Sequence, residues 1–470
     1  MEQTQKQIEA KAYIAGLVEK ARKAQEQIEF ASQKEVDSVC ARMAWAGVQD
    51  SFARELSRVA VEESKLGNES SKYAKLMAKI KGTWRDCKDA KTVGIIEEDV
   101  EKGLLKFAKP VGVIGALIPC TNPEATPFCK GISVVKTRNA IIMAPHPRAQ
   151  KTGKMAVDQM RKVLKKMNFP EDLIQIVEEL SMEASQELMK QSDLILATGG
   201  TGMVKEAYGS GKPALGVGAG NAVTIVDDTA DLSAVADKIM RSKIFDNATS
   251  CSTENSCLIQ NTVYDKLIAE MEAVGGYLVP AGEKSMLQSA MWVDGHLNRD
   301  IVAQPASKIA VLAGINLPPN KTFFMVEETG IGEGFPFSEE KLSVVTTLYK
   351  WENFDDAVQM INDITSWSGP GHSCGIHTES RERVLQLAEK VKISRIMINQ
   401  PQCLANSGAW TNGMPMTMTL GCGTWGGNST SENITWKHLL NTTWVSFPIE
   451  SNQPTDEELF GADVMSEDYN

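Results

Sequence analysis

One cysteine of the nine in this chain stands apart. Cys251, in KIFDNATSCSTENSCLIQ, lies among small polar residues just ahead of an apolar run, whereas Cys257 abuts LIQ as a packing cysteine does. A thiol so placed is a candidate nucleophile, given surroundings that lower its pKa. Asn122, in PCTNPEATPF, is held between prolines at the end of an apolar run. Its amide can face a developing oxyanion, or it can cap its own turn as an Asx residue. Residues 197–220, ATGGTGMVKEAYGSGKPALGVGAG, are the densest glycine cluster and follow the apolar run DLILAT. Glycines there let backbone approach a ligand and free N–H groups at a helix start to meet phosphate. GGTG is not GxGxxG, so spacing alone equally allows a tight strand-to-helix turn. His146, in PHPR, either contacts a nucleotide or sits in an inert loop. His372 and His377 have no evident partner and read as surface or structural residues. Trp410, Trp425, Trp436 and Trp444 cluster toward the C-terminus, where core or interface is the commoner use.

The nine cysteines are scattered, without CxxC spacing, and the five histidines form no HxxxH pair, so no structural metal site is expected. A formal net charge of −11 argues against a nucleic-acid binder, which needs a basic face. The opening MEQTQKQIEAKAYIAG lacks the basic and apolar regions of an export signal. Runs such as VGVIGALIP are too short to span a bilayer. A cytoplasmic protein with reduced thiols, with no membrane partner, is expected.

The elements that must position these residues follow from periodicity. The first ninety residues read as helix, with Ile14, Leu17, Val18 and Ala21 at helical spacing. Lys91 to Lys109 reads as strand–turn–strand. VGVIGALIP, NAIIMAP, LIQIVEE, DLILATG and NAVTIVD then read as buried strands separated by helices, which indicates a parallel sheet covered on both faces. A second series follows: ENSCLIQ, KIAVLAG, FFMVEE, LSVVTTLY, CGIHT and RIMINQ. Two successive α/β domains are predicted. HLLNTTWVSFPI reads as one strand in need of a partner, and the acidic residues 451–470 as a loose tail.

Taken in order and spacing, PCTNPEATPFCKGISVVKTRNAIIMAPHPRA, LILATGGTGMVKEAYGSGKPALGVGAGN, FDNATSCSTEN, EEKLS and LGCGTWGGNSTSEN resemble the CoA-acylating branch of the aldehyde dehydrogenase superfamily. The resemblance implies an α/β fold with three parts: a Rossmann-like cofactor domain (1–90 and 111–232), an α/β catalytic domain (233–428) and a small β oligomerisation arm (91–110 and 429–450). It implies Cys251 as nucleophile and Asn122 as oxyanion donor. Gly199, Gly200 and Thr201 match the turn beneath the cofactor pyrophosphate, with Gly218 and His146 beside the cofactor and Glu340 on the nicotinamide ribose. It further implies NAD or NADP, coenzyme A as co-substrate, and a homodimer or homotetramer. The first helix runs straight into the domain, without the targeting extension of microcompartment relatives.

Two departures from hydrolytic relatives matter. Where those place a water-activating Glu, Gly216 to Gly220 offer no carboxylate, which favours transfer of the acyl group to a thiol. Ala144 stands where a ribose-binding Lys is usual, so the choice between NAD and NADP stays open. The acyl pocket is expected from the cysteine loop and the NQPQCLANSGAWTNGMP segment, offering Asn247, Thr249, Ser250, Asn406, Ser407, Trp410, Thr411 and Asn412. A short polar aldehyde suits that lining. The terminal segments look most like acylating sulfoacetaldehyde dehydrogenases, with acetaldehyde as the alternative substrate. The remaining alternatives are a hydrolytic enzyme and a non-catalytic relative.

Overall fold

The computed structural model describes residues 4–469. Four helices come first: α1 (Gln5–Ile28), α2 (Gln33–Gly47), α3 (Asp50–Ser64) and α4 (Glu69–Cys87). α1 and α2 begin with capping boxes, Thr4 with Gln7 and Ser32 with Glu35. Their apolar stripes are buried, as helical spacing predicts. α4 is unlike the others, because its buried face carries Lys72, Lys75 and Lys79 beside Leu76 and Ile80. β1 (Gly94–Asp99) and β2 (Leu104–Pro110) then form an antiparallel pair.

Next come β3 (Val113–Ile118), α5 (Thr126–Lys136), β4 (Ala140–Pro145), α6 (Gln150–Lys166), β5 (Ile174–Ile176), α7 (Met182–Gln191), β6 (Leu194–Thr198), α8 (Thr201–Gly209) and β7 (Ala214–Val217). Their strands make one parallel sheet in the order β5-β4-β3-β6-β7. β3 and β4 are buried along their whole length, which is why they read as unbroken apolar runs. The strand order reverses beside β3, and open α/β sheets hold ligands at the carboxyl ends of strands at such a reversal.

The chain continues through β8 (Ala222–Val226), α9 (Leu232–Ile244), β9 (Glu254–Gln260), α10 (Tyr264–Ala273), β10 (Gly276–Leu278), α11 (Ala281–Met291) and a small hairpin of β11 (Trp292–Val293) and β12 (His296–Leu297). α12 (Ala306–Ala313), β13 (Phe323–Glu327), β14 (Val345–Trp351), α13 (Phe354–Trp367), β15 (Cys374–His377), α14 (Arg381–Lys390), β16 (Ile396–Ile398) and α15 (Gln402–Ala405) follow. Seven of these strands form a second parallel sheet, β10-β13-β14-β9-β8-β15-β16. β17 (Leu440–Ser446) returns to pair antiparallel with β2, closing a three-stranded sheet, and α16 (Asp456–Met465) ends the chain. No helix among the described residues is long and apolar enough to cross a membrane.

Three elements differ from the sequence reading. NAVTIVD, grouped with the first series, is β8 and pairs with β9 and β15 in the second sheet. Apolar periodicity reports burial and not which sheet a strand joins, and only residues 218–221 separate β7 from β8. KIAVLAG, read as a strand, lies in α12: Ala306, Ile309, Ala310 and Ala313 are buried at helical spacing, and Gly314 ends the helix at φ 69°. The acidic tail, read as loose, contains α16, started by a Thr455–Glu458 capping box and exposed on every side.

Candidate active site

The carboxyl ends of strands in the first sheet and the amino ends of strands in the second border one cavity. The carboxyl ends of β3, β4, β6 and β7 lead into the loops of Asn122, His146, Gly199 and Gly218. The amino ends of the adjacent strands β14, β9, β8 and β15 are preceded by Glu340, Cys251, Gly220 and His372. The cavity between these strand ends measures about 570 Å³. Cys251, Asn122, His146, Gly199, Gly200, Gly218 and Glu340 all line it, and Thr201 opens α8 beside them.

The loop delivering Cys251 is strained. Asp246, Asn247 and Ala248 adopt φ values of 52°, 49° and 60°, a left-handed run that non-glycine residues resist. Asp246 holds it in place. Its Oδ2 accepts from Lys72 Nζ at 2.8 Å and Lys75 Nζ at 2.7 Å, and its Oδ1 from the Asn68 N–H at 3.0 Å. Burial would raise this carboxyl's pKa, but the two ammonium groups outweigh it and hold the value down to about 2. Asp246 is therefore a fixed anion.

Cys251 Sγ lies 3.0 Å from His372 Nε2, and His372 Nδ1 lies 2.8 Å from Ser373 Oγ. Burial, with Glu340 adding to it, pushes the thiol pKa up. Burial, with Arg395 adding to it, pushes the imidazole down to about 3. The resting pair is thus thiol and neutral imidazole; in the tautomer with its proton on Nδ1, that N–H donates to Ser373 Oγ and Nε2 is open to receive the thiol proton. Gly220 makes this approach feasible: a Cβ there would fall 2.4 Å from the Cys251 carbonyl oxygen and 2.9 Å from the imidazole. Arg395 donates to the His372 carbonyl at 2.9 Å and also to the Gly421 carbonyl, so the imidazole loop is tied to the terminal glycine-rich stretch.

Asn122 Oδ1 accepts from Lys75 Nζ at 2.6 Å, while its Nδ2 donates to Thr121 Oγ1 at 3.2 Å. Lys75 so determines which face of the amide carries the oxygen. The second Nδ2 hydrogen has no protein acceptor among the described residues, the state required of an oxyanion donor. On the far side, Gly200 caps α8 without a side-chain bond, and a Cβ added at Gly200, Gly202 or Gly218 would meet nothing within 4 Å. The protein's own packing does not demand glycine there. An open trough ending in helix N–H groups fits a pyrophosphate. Glu340 accepts from the Gly220 N–H at 3.2 Å, and burial pushes its carboxyl up to about 8. His146 Nδ1 accepts from the Arg148 N–H at 3.1 Å, leaving Nε2 for the cavity.

Of the residues expected around the acyl group, Thr249, Ser250, Ser407, Trp410 and Thr411 line the cavity. Asn247, Asn406 and Asn412 do not, and their amides are taken up mainly by backbone groups. Asn247 donates to the Gly67 and Ala303 carbonyls, Asn406 to the Gln402 carbonyl, and Asn412 bridges Ala409, Met414 and Ala405. His372, read as surface or structural, is the cysteine's partner. Its position in GPGHSCG, just before a buried strand, resembles that of Cys251 before β9. Lys75, which holds the Asn122 amide, is the other site contact absent from the sequence reading, although lysines at 72, 75 and 79 repeat at the spacing of one helical face.

Two α/β sheets with a cysteine at their junction define an aldehyde-oxidising architecture, and the chain belongs to the aldehyde dehydrogenase family, whose model matches residues 4–280. It is 46% identical over 453 residues to a sulfoacetaldehyde dehydrogenase of an Acholeplasma species, covering 95% of this chain and 93% of that one. It is 45% identical to the acylating sulfoacetaldehyde dehydrogenase of Bilophila wadsworthia, over 95% of this chain and 98% of the relative. The crystal structure of an acetylating aldehyde dehydrogenase from Geobacillus thermoglucosidasius superposes with a TM-score of 0.92 at 35% identity, covering 96% of this chain and 100% of that one.

Proposed function

We propose that this protein is a CoA-acylating aldehyde dehydrogenase acting in the cytoplasm on sulfoacetaldehyde, with NAD or NADP as hydride acceptor. The observation that carries the acylating reading is the nature of the acids and bases around Cys251. Among the described residues lining the cavity the carboxylates are Asp246, neutralised by two lysines, and Glu340, bonded to backbone. Neither is arranged to activate water, whereas His372 sits on the sulfur.

Cys251 gives its proton to His372 Nε2 as the sulfur attacks the aldehyde carbon. Asn122 Nδ2 and the Cys251 N–H receive the resulting oxyanion. Gly199, Gly200, Gly218 and Glu340 would hold a nicotinamide dinucleotide, which when bound would supply the hydride acceptor, so that loss of the hydride leaves a thioester on Cys251. His372 then releases the first proton to solvent, its freed Nε2 takes the proton of the CoA thiol, the thiolate adds to the thioester carbonyl, and acyl-CoA leaves as the Cys251 thiolate takes that proton back from His372. The first sheet with its helices is the cofactor-binding part and the second the catalytic part. The sheet β1-β2-β17, with Trp444 and Phe447 exposed, is the arm joining two or four copies.

The test omits CoA. Purified enzyme with sulfoacetaldehyde should then form at most one reduced nucleotide per active site, and addition of CoA should restore turnover. Sustained release of free acid without CoA would establish the hydrolytic reading instead.

A further inference from the structure

The cations around the cavity are not equally compensated. Beneath Asn122, Lys72 and Lys75 face Asp246 and Glu124, with Lys75 Nζ 3.2 Å from Glu124 and 2.7 Å from Asp246. Two positive and two negative groups cancel there. Lys79 lies one helical turn further on and lines the same cavity, 7% exposed, without an ion pair. Its ammonium donates to the carbonyls of Ser407 at 2.9 Å and Gly408 at 2.7 Å. The third donor meets only the Met416 thioether, at 3.7 Å, and Met416 also lines the cavity. Asp86, two turns along α4, is already held by Arg85 at 2.7 Å and by the Met416 N–H at 2.6 Å. Burying an ammonium without a counter-ion is costly, and a chain that needed only to fill this space would use an apolar side chain.

We propose that Lys79 is the specificity-determining cation of the acyl pocket, supplying the counter-charge for a sulfonate or carboxylate at the far end of a short aldehyde. This rests on the acylating, sulfoacetaldehyde-directed reading above and names the residue that recognises the anion. Neither segment expected to line the acyl pocket contains a Lys or Arg, so the charge must come from elsewhere, and α4 brings it. The spacing is suitable. Lys79 follows Lys75, which touches Asn122, by about 6 Å along the helix axis. A two-carbon sulfonate whose carbonyl lies at Asn122, plus a charge-assisted contact of about 2.8 Å, covers a similar span. The anion would take the donor now facing the thioether while the two carbonyl bonds hold the ammonium in place. Burial lowers the Lys79 pKa to about 8, so the group is still mostly the ammonium near pH 7, and a bound anion would hold it charged to higher pH.

The experiment compares kcat/KM for sulfoacetaldehyde, succinate semialdehyde and acetaldehyde in wild type and Lys79→Met. The preference for the anionic aldehyde over acetaldehyde should fall about thirtyfold in the variant, the scale of one hydrogen bond to a charged group. A variant keeping the wild-type preference overturns the assignment of Lys79 while leaving the substrate reading intact. Wild type preferring acetaldehyde over both anions refutes the substrate reading itself. Wild type preferring succinate semialdehyde, with that preference lost in Lys79→Met, supports the cation and replaces sulfonate by carboxylate. If Lys79→Met does not fold, wild type decides: ethanesulfonate should compete with acetaldehyde at least tenfold better than the neutral isostere ethyl methyl sulfone. Equal inhibition by the two overturns the proposal.

Discussion

Replacing His372 by Gln is the most direct test of how Cys251 is activated. Gln keeps a hydrogen-bonding group near the sulfur but cannot hold the thiol proton. In wild type the sulfur and the imidazole nitrogen are 3.0 Å apart and both groups are neutral, so the proton can pass directly as the sulfur attacks and the reaction does not depend on free thiolate. In His372→Gln it must. Burial raises the Cys251 pKa above its ordinary 9.0, so below about a tenth of the enzyme carries thiolate at pH 8. General-base assistance contributes about 10²–10⁴ in rate, or about 2.7–5.5 kcal/mol of barrier. Stopped-flow detection of reduced nucleotide should therefore show the acylation burst slowed by that factor, with CoA transfer slowed as well. The pH dependence separates this from mere disruption. The wild-type imidazole has a pKa lowered to about 3, so it stays neutral and ready across pH 5–9 and contributes no limb there. The variant's rate should climb about tenfold per pH unit through pH 9, because it follows the thiolate fraction. A variant retaining more than about a tenth of wild-type kcat/KM at neutral pH, or sharing its pH profile, would refute the reasoning.

Cys251→Ala should abolish aldehyde oxidation while leaving nucleotide binding measurable by fluorescence; residual turnover of a tenth would remove Cys251 as nucleophile. Asp246→Asn leaves Lys72 and Lys75 short of a counter-charge and should cost about 3–5 kcal/mol in denaturant titrations at pH 7. The carboxyl's folded pKa is lowered to about 2, so its contribution is full above its unfolded value and declines as pH falls through the folded one. The gap between wild type and variant should accordingly narrow as pH drops below about 4. Deleting the chain from Leu440 onward removes β17 and should give monomers or aggregates in light scattering; an unchanged oligomer would count against the arm.

Much of this protein is written locally. Buried parallel strands such as β3 and β4 show as unbroken apolar runs because both faces are covered, and α1 and α2 show as periodic stripes behind capping boxes. The Cys251 loop declared itself by polarity, and the glycine turn at 199–200 by composition. What stayed hidden depended on contacts between distant segments. β8 joins the second sheet because its partners, β9 and β15, lie later in the chain. α12 reads as a strand from the short apolar run around Ile309 and Val311, although its three alanines, Lys308 and Leu312 favour helix, and a run that short has no period to separate the two. Asn247, Asn406 and Asn412 have the right residue type and the wrong direction, since a nearby backbone carbonyl claimed each amide. His372 is 121 residues from Cys251, and Lys79 is 328 from Ser407. Sequence alone determined that a polar cysteine loop, an amide between prolines and a glycine cluster existed. That His372 meets the sulfur, and that Lys79 lines the same cavity, was decided when parallel strands brought the amino ends of β9 and β15 to one end of the sheet, beside α4. No local pattern records a distance between side chains that only the closed sheet sets.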